Sequence, residues 1–377
     1  MIMKRLTFCF LLLHTIAIAV AQKKALVVSN PLSILRKEEV VAIPWSQVME
    51  VYPTLDTANF KVINPETKRE YEYQLEYKGQ SQVQNLLVQL TIAAGGQQQL
   101  QIVKGKHKPF TSKTYCRYVP ERKDDFAWEN DRIAFRMYGQ ALENSPAEMA
   151  YGVDVWVKRT DRLILNERYK RGEYHIDHGD GMDYYHVGLT LGAGGIAPYI
   201  HDTIWFSKNY RTWKVLDNGP LRSTFQLSYE EWPAAGRKIK CTKTISLDAG
   251  SQLSKTVVNY ETDSDKPLSV VTGIIKRKEA GEMLLNEKEG ILAYWEPQHG
   301  TDGITGVACL LTTPVKQMLV NKEHLLAETL VPENASLTYY NGAAWNKAGQ
   351  ISSSGDWFEY LQLFQDRLKN QLLISVK

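Results

Sequence analysis

The sequence predicts a mainly β protein: a small N-terminal β-sandwich, then a large two-sheet sandwich, then a short C-terminal helix. Three observations predict it. Apolar residues alternate with a period of two along most of the chain, the pattern of strands with one buried face. Helical periodicity is scarce until the C-terminus. From Phe126 onward strand-like runs recur too often for a seven-strand module, which favours a large sandwich.

In chain order, Lys4 and Arg5 precede an apolar run from Leu6 to Val20, and Ala19-Val20-Ala21 offers a small-x-small cleavage site before Gln22. The run is shorter than the roughly 20 residues a membrane-spanning helix needs. Residues 1–21 therefore read as a cleavable signal peptide. The first residue after the cut is Gln22, so no lipid-attachment cysteine is offered, and the product is expected to be soluble and periplasmic or secreted. Cleavage removes two basic residues and takes the formal net charge from +3 to +1. Such a balance gives no field favouring nucleic acid or an anionic membrane. Cys116, Cys241 and Cys309 remain, without metal-type spacing, and read as buried small apolar residues; an odd count leaves at least one thiol unpaired.

Residues 22–110 read as the N-terminal sandwich, with strand-like runs at 25–29, 60–63, 86–92 and 100–103. A basic, proline-containing stretch around 104–125 suggests a linker, and residues 111–377 form the large domain. Within it Phe225, Leu227 and Tyr229 share one strand face, and Ile239, Cys241, Ile245 and Leu247 alternate into the turn Asp248-Ala249-Gly250-Ser251. Val153, Val155 and Val157 alternate with Asp154, Trp156 and Lys158. Trp357, Leu361, Phe364 and Leu368 form a helical stripe, with Asp356 and Glu359 spaced as a capping box, and a strand over 372–376 closes the chain.

Tyr174 to His186 is the densest polar segment, holding His175, Asp177, His178, Asp180, Asp183 and His186 with two glycines. Imidazoles suit proton transfer near neutral pH, and a neighbouring carboxylate fixes the tautomer. A catalytic or substrate-binding loop is the leading reading, and a solvated Asp-Gly turn the second. A divalent metal at the His175–Asp183 loop ranks third, because the spacing matches neither H-E-x-x-H nor an EF-hand. No cofactor is expected. Arg132, Arg136 and Tyr138 are placed on one strand face opposite Ile133, Phe135 and Met137, with Trp128 at its start. Arginine forks beside aromatic rings suit a sugar carboxylate. Trp156 and Trp295 are read with Trp128 as a binding face. His201 after a glycine bend, and Glu296 and His299 in a strand-ending loop, are further candidates. Gly192-Ala193-Gly194-Gly195-Ile196-Ala197, with Asp217 beyond it, fits a dinucleotide fingerprint. Pro198 and the β-branched stretch that follows offer no helix, so the match reads as a bend between strands.

The run Trp128-Glu129-Asn130-Asp131-Arg132-Ile133-Ala134, the strand Val153-Asp154-Val155-Trp156-Val157-Lys158-Arg159 and the His-x-Asp-His-Gly-Asp-Gly-x-Asp loop resemble domain-of-unknown-function family 4861. So do the Leu-Gly-Ala-Gly-Gly bend and Lys214-Val215-Leu216-Asp217-Asn218-Gly219-Pro220-Leu221-Arg222. The resemblance runs from about Ser29 to the C-terminal helix. It implies a galactose-mutarotase-like supersandwich and a setting in polysaccharide degradation, and one relative is described as a dehydratase acting on a uronic acid of ulvan oligosaccharides.

Residues and resemblance meet at β-elimination from a uronate. Arg132 or Arg136 would neutralise the carboxylate and His175 or His178 would take the C5 proton. His201, His299 or a tyrosine would protonate the oxygen leaving C4. Asp177, Asp180, Asp183, Trp128, Tyr138, Trp156, Trp295 and Glu296 would line the substrate. The expected partner is a uronate-containing oligosaccharide. A mutarotase or epimerase using His175, His178 and Glu296, and a non-catalytic sugar-binding protein, are the alternatives.

Overall fold

The computed structural model describes residues 24–333 and 335–377, so the expected signal peptide lies outside the described residues. The fold is mainly β, as the period-two pattern requires. The N-terminal unit packs a five-stranded sheet on a three-stranded one. The first has the order Leu373–Val376, Leu26–Ser29, Gln97–Lys104, Phe60–Ile63, Glu70–Tyr71, and the second Arg36–Pro44, Asn85–Ile92, Tyr73–Glu76. Its core is Leu26, Val28, Ile43, Phe60, Val62, Leu86, Val88 and Leu100.

One boundary is corrected. The closing strand was placed in the large domain, yet it pairs antiparallel with Leu26–Ser29, Leu26 opposite Val376. The C-terminal helix carries the chain back to the N-terminal sheet, whose edge would otherwise be open.

The large unit sets a nine-stranded sheet against two five-stranded ones. One of these runs Gly181–Met182, Asp154–Lys158, Ile133–Met137, Asp125–Asn130, Thr114–Val119. The other is built on Ala193–Ile200, Leu268–Ile275 and His324–Val331, and the two meet at a Val153–Gly192 bridge. Phe126, Trp128, Phe135, Val155, Phe225, Ile245, Leu292 and Tyr339 share the core between the layers. The glycine bend opens a strand rather than a helix, which removes the dinucleotide reading. Gly194 sits at φ +99°, where an added Cβ would lie 2.5 Å from Asn341 Cβ. Asp217 ties its strand to the N-terminal part of the chain, accepting the N–H of Tyr77 and Lys78 at 2.7 Å each.

The helix Ser354–Lys369 covers the outer face of the nine-stranded sheet, with Trp357 and Leu361 packed on Ile291, Ala293, Trp295 and Ala308. Its capping box also differs from the expectation. Ser353 Oγ accepts the Asp356 N–H and Asp356 reaches back to the Ser353 N–H, so the pair is Ser353–Asp356 and not Asp356–Glu359. Among the described residues no helix is long and apolar enough to cross a membrane. Cys116, Cys241 and Cys309 are all buried and free.

Candidate active site

Every residue of the strands Asp125–Asn130, Ile133–Met137 and Asp154–Lys158 is buried. One face meets the apolar core. The other carries Asp125, Glu129, Arg136, Asp154, Trp156 and Lys158 and is roofed by the helix Leu165–Arg171 and the histidine-rich loop. Lys158 Nζ pairs with Glu129 at 2.7 Å, and the other Glu129 oxygen accepts the Leu165 N–H at the start of the roofing helix. The charged face is thus an interior layer. Buried charges persist only when paired and hydrogen-bonded, and these are.

Arg136 is the hub. Its guanidinium meets Asp154 at 2.7 Å through Nε and 2.6 Å through Nη2, Asp183 at 2.8 Å and Asp125 at 3.4 Å. Its Cζ also lies 5.1 Å from the Trp156 ring and 5.3 Å from the Tyr138 ring. Three carboxylates around one guanidinium exceed its charge. Burial, opposed by Arg136 and Arg122, pushes the Asp125 carboxyl up to about 7. Burial and then the neighbouring Asp154 raise Asp183 well above the carboxylate range, against the pull of Arg136. The cluster retains protons near neutrality.

Asp183 leads out of this layer to the surface. Its carbonyl faces His175 Nδ1 at 2.8 Å, and His175 is 67% exposed. A carbonyl only accepts, so Nδ1 is the donor and Nε2 is left without a partner. The next residue, Tyr184, donates to or accepts from Thr305 Oγ1 at 2.6 Å, and its ring stacks on His299 at 5.2 Å. His299 Nδ1 in turn faces the Asp302 carboxylate at 2.9 Å, which fixes the same tautomer. Two histidines 124 positions apart in the chain therefore flank the Asp183–Tyr184 dipeptide.

Beyond Tyr184, Tyr185 lies under Arg277, whose Nε donates to Glu296 at 2.7 Å. Burial pushes the Glu296 carboxyl up to about 7 in spite of Arg277. Arg159 pairs with Asp177 and lies 4.8 Å over the Trp345 ring, which donates to the Asp302 carbonyl at 2.9 Å.

Several expected roles need correction. Arg136 is 5% exposed and saturated by aspartates, so it has no edge for a substrate carboxylate. Arg132 pairs with Glu38 and Asp131 at the opposite end of its strand. Trp128 is buried against Phe135 and Phe225, Trp156 beneath Tyr174, and Trp295 under the C-terminal helix. None of the three presents a stacking platform, because what covers each is protein. Tyr138 is largely buried beside Arg136. His201 sits in the hairpin turn after Ala193–Ile200, at φ +53°, about 25 Å of strand away from the Val153–Gly192 bridge.

The loop acids diverge. Asp177 caps the Gly179 and Gly181 N–H groups and meets Arg159. Asp180 faces Arg168 and Arg171 at 3.6 Å each, and Asp183 meets Arg136. His178 is 3.6 Å from the exposed Glu173. No three acidic, histidine or cysteine side chains among the described residues converge as metal ligands. Arg277, Asp125 and Trp345 were not singled out from the sequence, and Tyr185, Asp154 and Arg159 figured there only as members of longer motifs. Cavities of about 300 and 360 Å³ lie elsewhere, along the N-terminal sheet near Gln97, Gln99 and Tyr52. They contain neither histidine nor an arginine–carboxylate pair, and the chemistry favours the open histidine face instead.

The family model described as Domain of unknown function (DUF4861) matches residues 28–374. The chain is 30% identical over 379 residues to uncharacterized protein P7 of Formosa agariphila, covering 95% of this chain and 94% of P7. Its fold is similar to a protein in glycosyl hydrolase family 38 from Enterococcus faecalis, with TM-score 0.53 and 10% identity over 95% of this chain and 48% of that one. An α-mannosidase from Enterococcus faecalis V583 gives TM-score 0.50 and 10% identity over 94% of this chain and 46% of that one. The chain spans about half the length of these solved structures, and the likeness is one of fold. The chain belongs to the DUF4861 family.

Proposed function

We propose that this member of the DUF4861 family is an exported carbohydrate-active enzyme that eliminates water, or a neighbouring sugar, from a uronic acid residue of an oligosaccharide. One observation carries the reading: His175 and His299, each with Nδ1 committed and Nε2 free, flank Asp183–Tyr184. In the reaction Nε2 of His175 takes the C5 proton. The C–H pair becomes the C4=C5 double bond, the C4–O bond breaks, and the departing oxygen takes a proton from His299 or Tyr184. His299, oriented by the Asp302 carboxylate on Nδ1, presents Nε2 for the acid role. The sugar-active proteins among its fold neighbours support a carbohydrate substrate by analogy of fold only.

The test is incubation with ulvan, pectin and glycosaminoglycan oligosaccharides while the unsaturated-uronate absorbance is followed. A rise that His175→Ala abolishes supports elimination. No rise on any of them, with binding retained, refutes it. Export is tested by sequencing the N-terminus of the protein recovered outside the cytoplasm, which should begin at Gln22. The proximity of the raised Glu296 carboxyl to His299 favours a second reading, a mutarotase, which would speed optical-rotation decay of a fresh aldose without unsaturated product.

A further inference from the structure

We infer that Arg277 anchors the carboxylate of an acidic sugar, in a subsite built with Tyr185, Tyr294 and Glu296. The inference rests on the uronate reading above and names the residue that holds its carboxylate. Removing a C5 proton beside a carboxylate requires that carboxylate to be neutralised, and neither Arg132 nor Arg136 has a free edge toward the histidines. Arg277 does. It follows the strand Leu268–Ile275, whose last residue is tied to the glycine bend by the Ile275 N–H to Gly192 carbonyl bond of 2.9 Å.

The guanidinium is held from behind on three sides. Nε donates to Glu296 at 2.7 Å, Nη1 donates to the His186 carbonyl at 2.8 Å, and Cζ lies 4.5 Å over the Tyr185 ring. Nη2 is left over, and the side chain is 19% exposed. A planar fork fixed this way is oriented in advance for an oxyanion, and that orientation is the condition for tight carboxylate recognition.

A second observation points to a ligand at the same place. Tyr185 is buried, 4% exposed, and its hydroxyl has no hydrogen-bond partner. Tyr185 lies directly under Arg277, while Tyr294 is raised by burial and by Glu296 and is tied to the Arg277 backbone. Buried hydroxyls are satisfied in nearly all folded proteins, so an orphan directly under this arginine marks a position for a polar group.

The location suits the chemistry. Tyr185 follows Tyr184, on which His299 stacks, and Glu296 lies three residues before His299. A carboxylate held by Arg277 therefore sits beside the proposed acid. The charge also suits it. Tyr185, Tyr294, His186, His299 and Glu279 surround the pair, and the buried Glu296 gives up its proton reluctantly. Whenever Glu296 is neutral the Arg277 charge is uncompensated and draws an anion.

The experiment is calorimetric binding at pH 7 of a glucuronate-terminated disaccharide and of its methyl ester, with wild type and Arg277→Lys. Lysine keeps the cation against Glu296 but lacks the fork, and a thermal melt confirms that the variant folds. Wild type should prefer the acid by about tenfold or more, the worth of a charge-assisted hydrogen bond. Arg277→Lys should lose most of that preference, read as the ratio of acid to ester affinity. Equal wild-type affinity for acid and ester, or full preference retained in Arg277→Lys, overturns the inference and leaves the carbohydrate reading standing. Binding of neither probe overturns both.

Discussion

Arg136→Met tests the account of the buried layer most directly. The guanidinium is shared by Asp154, Asp183 and Asp125 at 2.6 to 3.4 Å, and all three carboxyl groups are buried. Methionine fills much of the volume and leaves three acids without their shared cation. Breaking a buried ion pair by removing one partner costs roughly 3–5 kcal/mol. At about 2–4 °C per kcal/mol for a domain of this size, the melting temperature should fall by on the order of 6–20 °C. The control is Asp183→Asn. It removes one acid from a cluster with too many, so at pH 8 its melting temperature should stay close to wild type. Scanning calorimetry at pH 8 on both variants decides the matter. An Arg136→Met protein within about 1 kcal/mol of wild type would refute the hub, since that is the range of exposed ion pairs.

Stability should depend on pH with a definite sign. Asp125 is held at about 7 in the fold against 3.8 when free, and Glu296 at about 7 against 4.5, so the folded chain keeps protons the unfolded chain releases. That contribution is complete below the unfolded values and is lost as pH rises through about 7, so the melt should be higher at pH 5.5 than at pH 8. A rise toward pH 8 contradicts it. Burial pushes the thiols of Cys116 and Cys309 up to about 12 and Cys241 to about 11, so none should react with a thiol reagent until the protein unfolds. Prompt labelling of the native protein counts against this. Gly194→Ala should cost clearly more than Gly172→Ala: both glycines have positive φ, but only at Gly194 does a Cβ collide with a neighbour. Equal losses in denaturant titrations would mean that the close packing on Asn341 gives way.

The strands were legible because period-two alternation has a direct physical cause. Phe225, Leu227 and Tyr229, or Ile239, Cys241 and Ile245, face the core as their spacing requires. Less visible were strands whose pattern is broken. Arg36–Pro44 carries a register shift between Arg36 and Glu39, and Tyr73–Glu76 is only four residues long. The helix cap was misplaced by three residues because acids at 356 and 359 imitate a box, while the true cap is a serine in a serine run.

The tryptophans went astray for a more instructive reason. Alternation of Val153, Val155 and Val157 with Asp154, Trp156 and Lys158 looks like a strand with one wet face, yet that face is roofed by the helix Leu165–Arg171. The signal that could have revealed the roof is charge complementarity. Glu129 and Lys158, and Asp125, Asp154 and Arg136, fall on one side of three adjacent strands, and such a set belongs inside when its members can pair.

The same argument sorts the histidine loop. Its richness in acids suggested a site made by the loop alone, but three of those acids lead to three sets of arginines and serve to hold the loop down. What remains for chemistry is the part not consumed by that anchoring: His175 at the rim, and the Asp183–Tyr184–Tyr185 run that passes from the buried hub to Arg277. A local motif can show where a chain is fixed, whereas a reacting group must keep an unsatisfied atom facing outward. On that criterion His175 Nε2, His299 Nε2 and Arg277 Nη2 are the atoms the proposed reaction uses. The loop reaches them through consecutive tyrosines, Tyr184 stacked on His299 and Tyr185 beneath Arg277, although His299 and Arg277 lie about a hundred positions further along the chain.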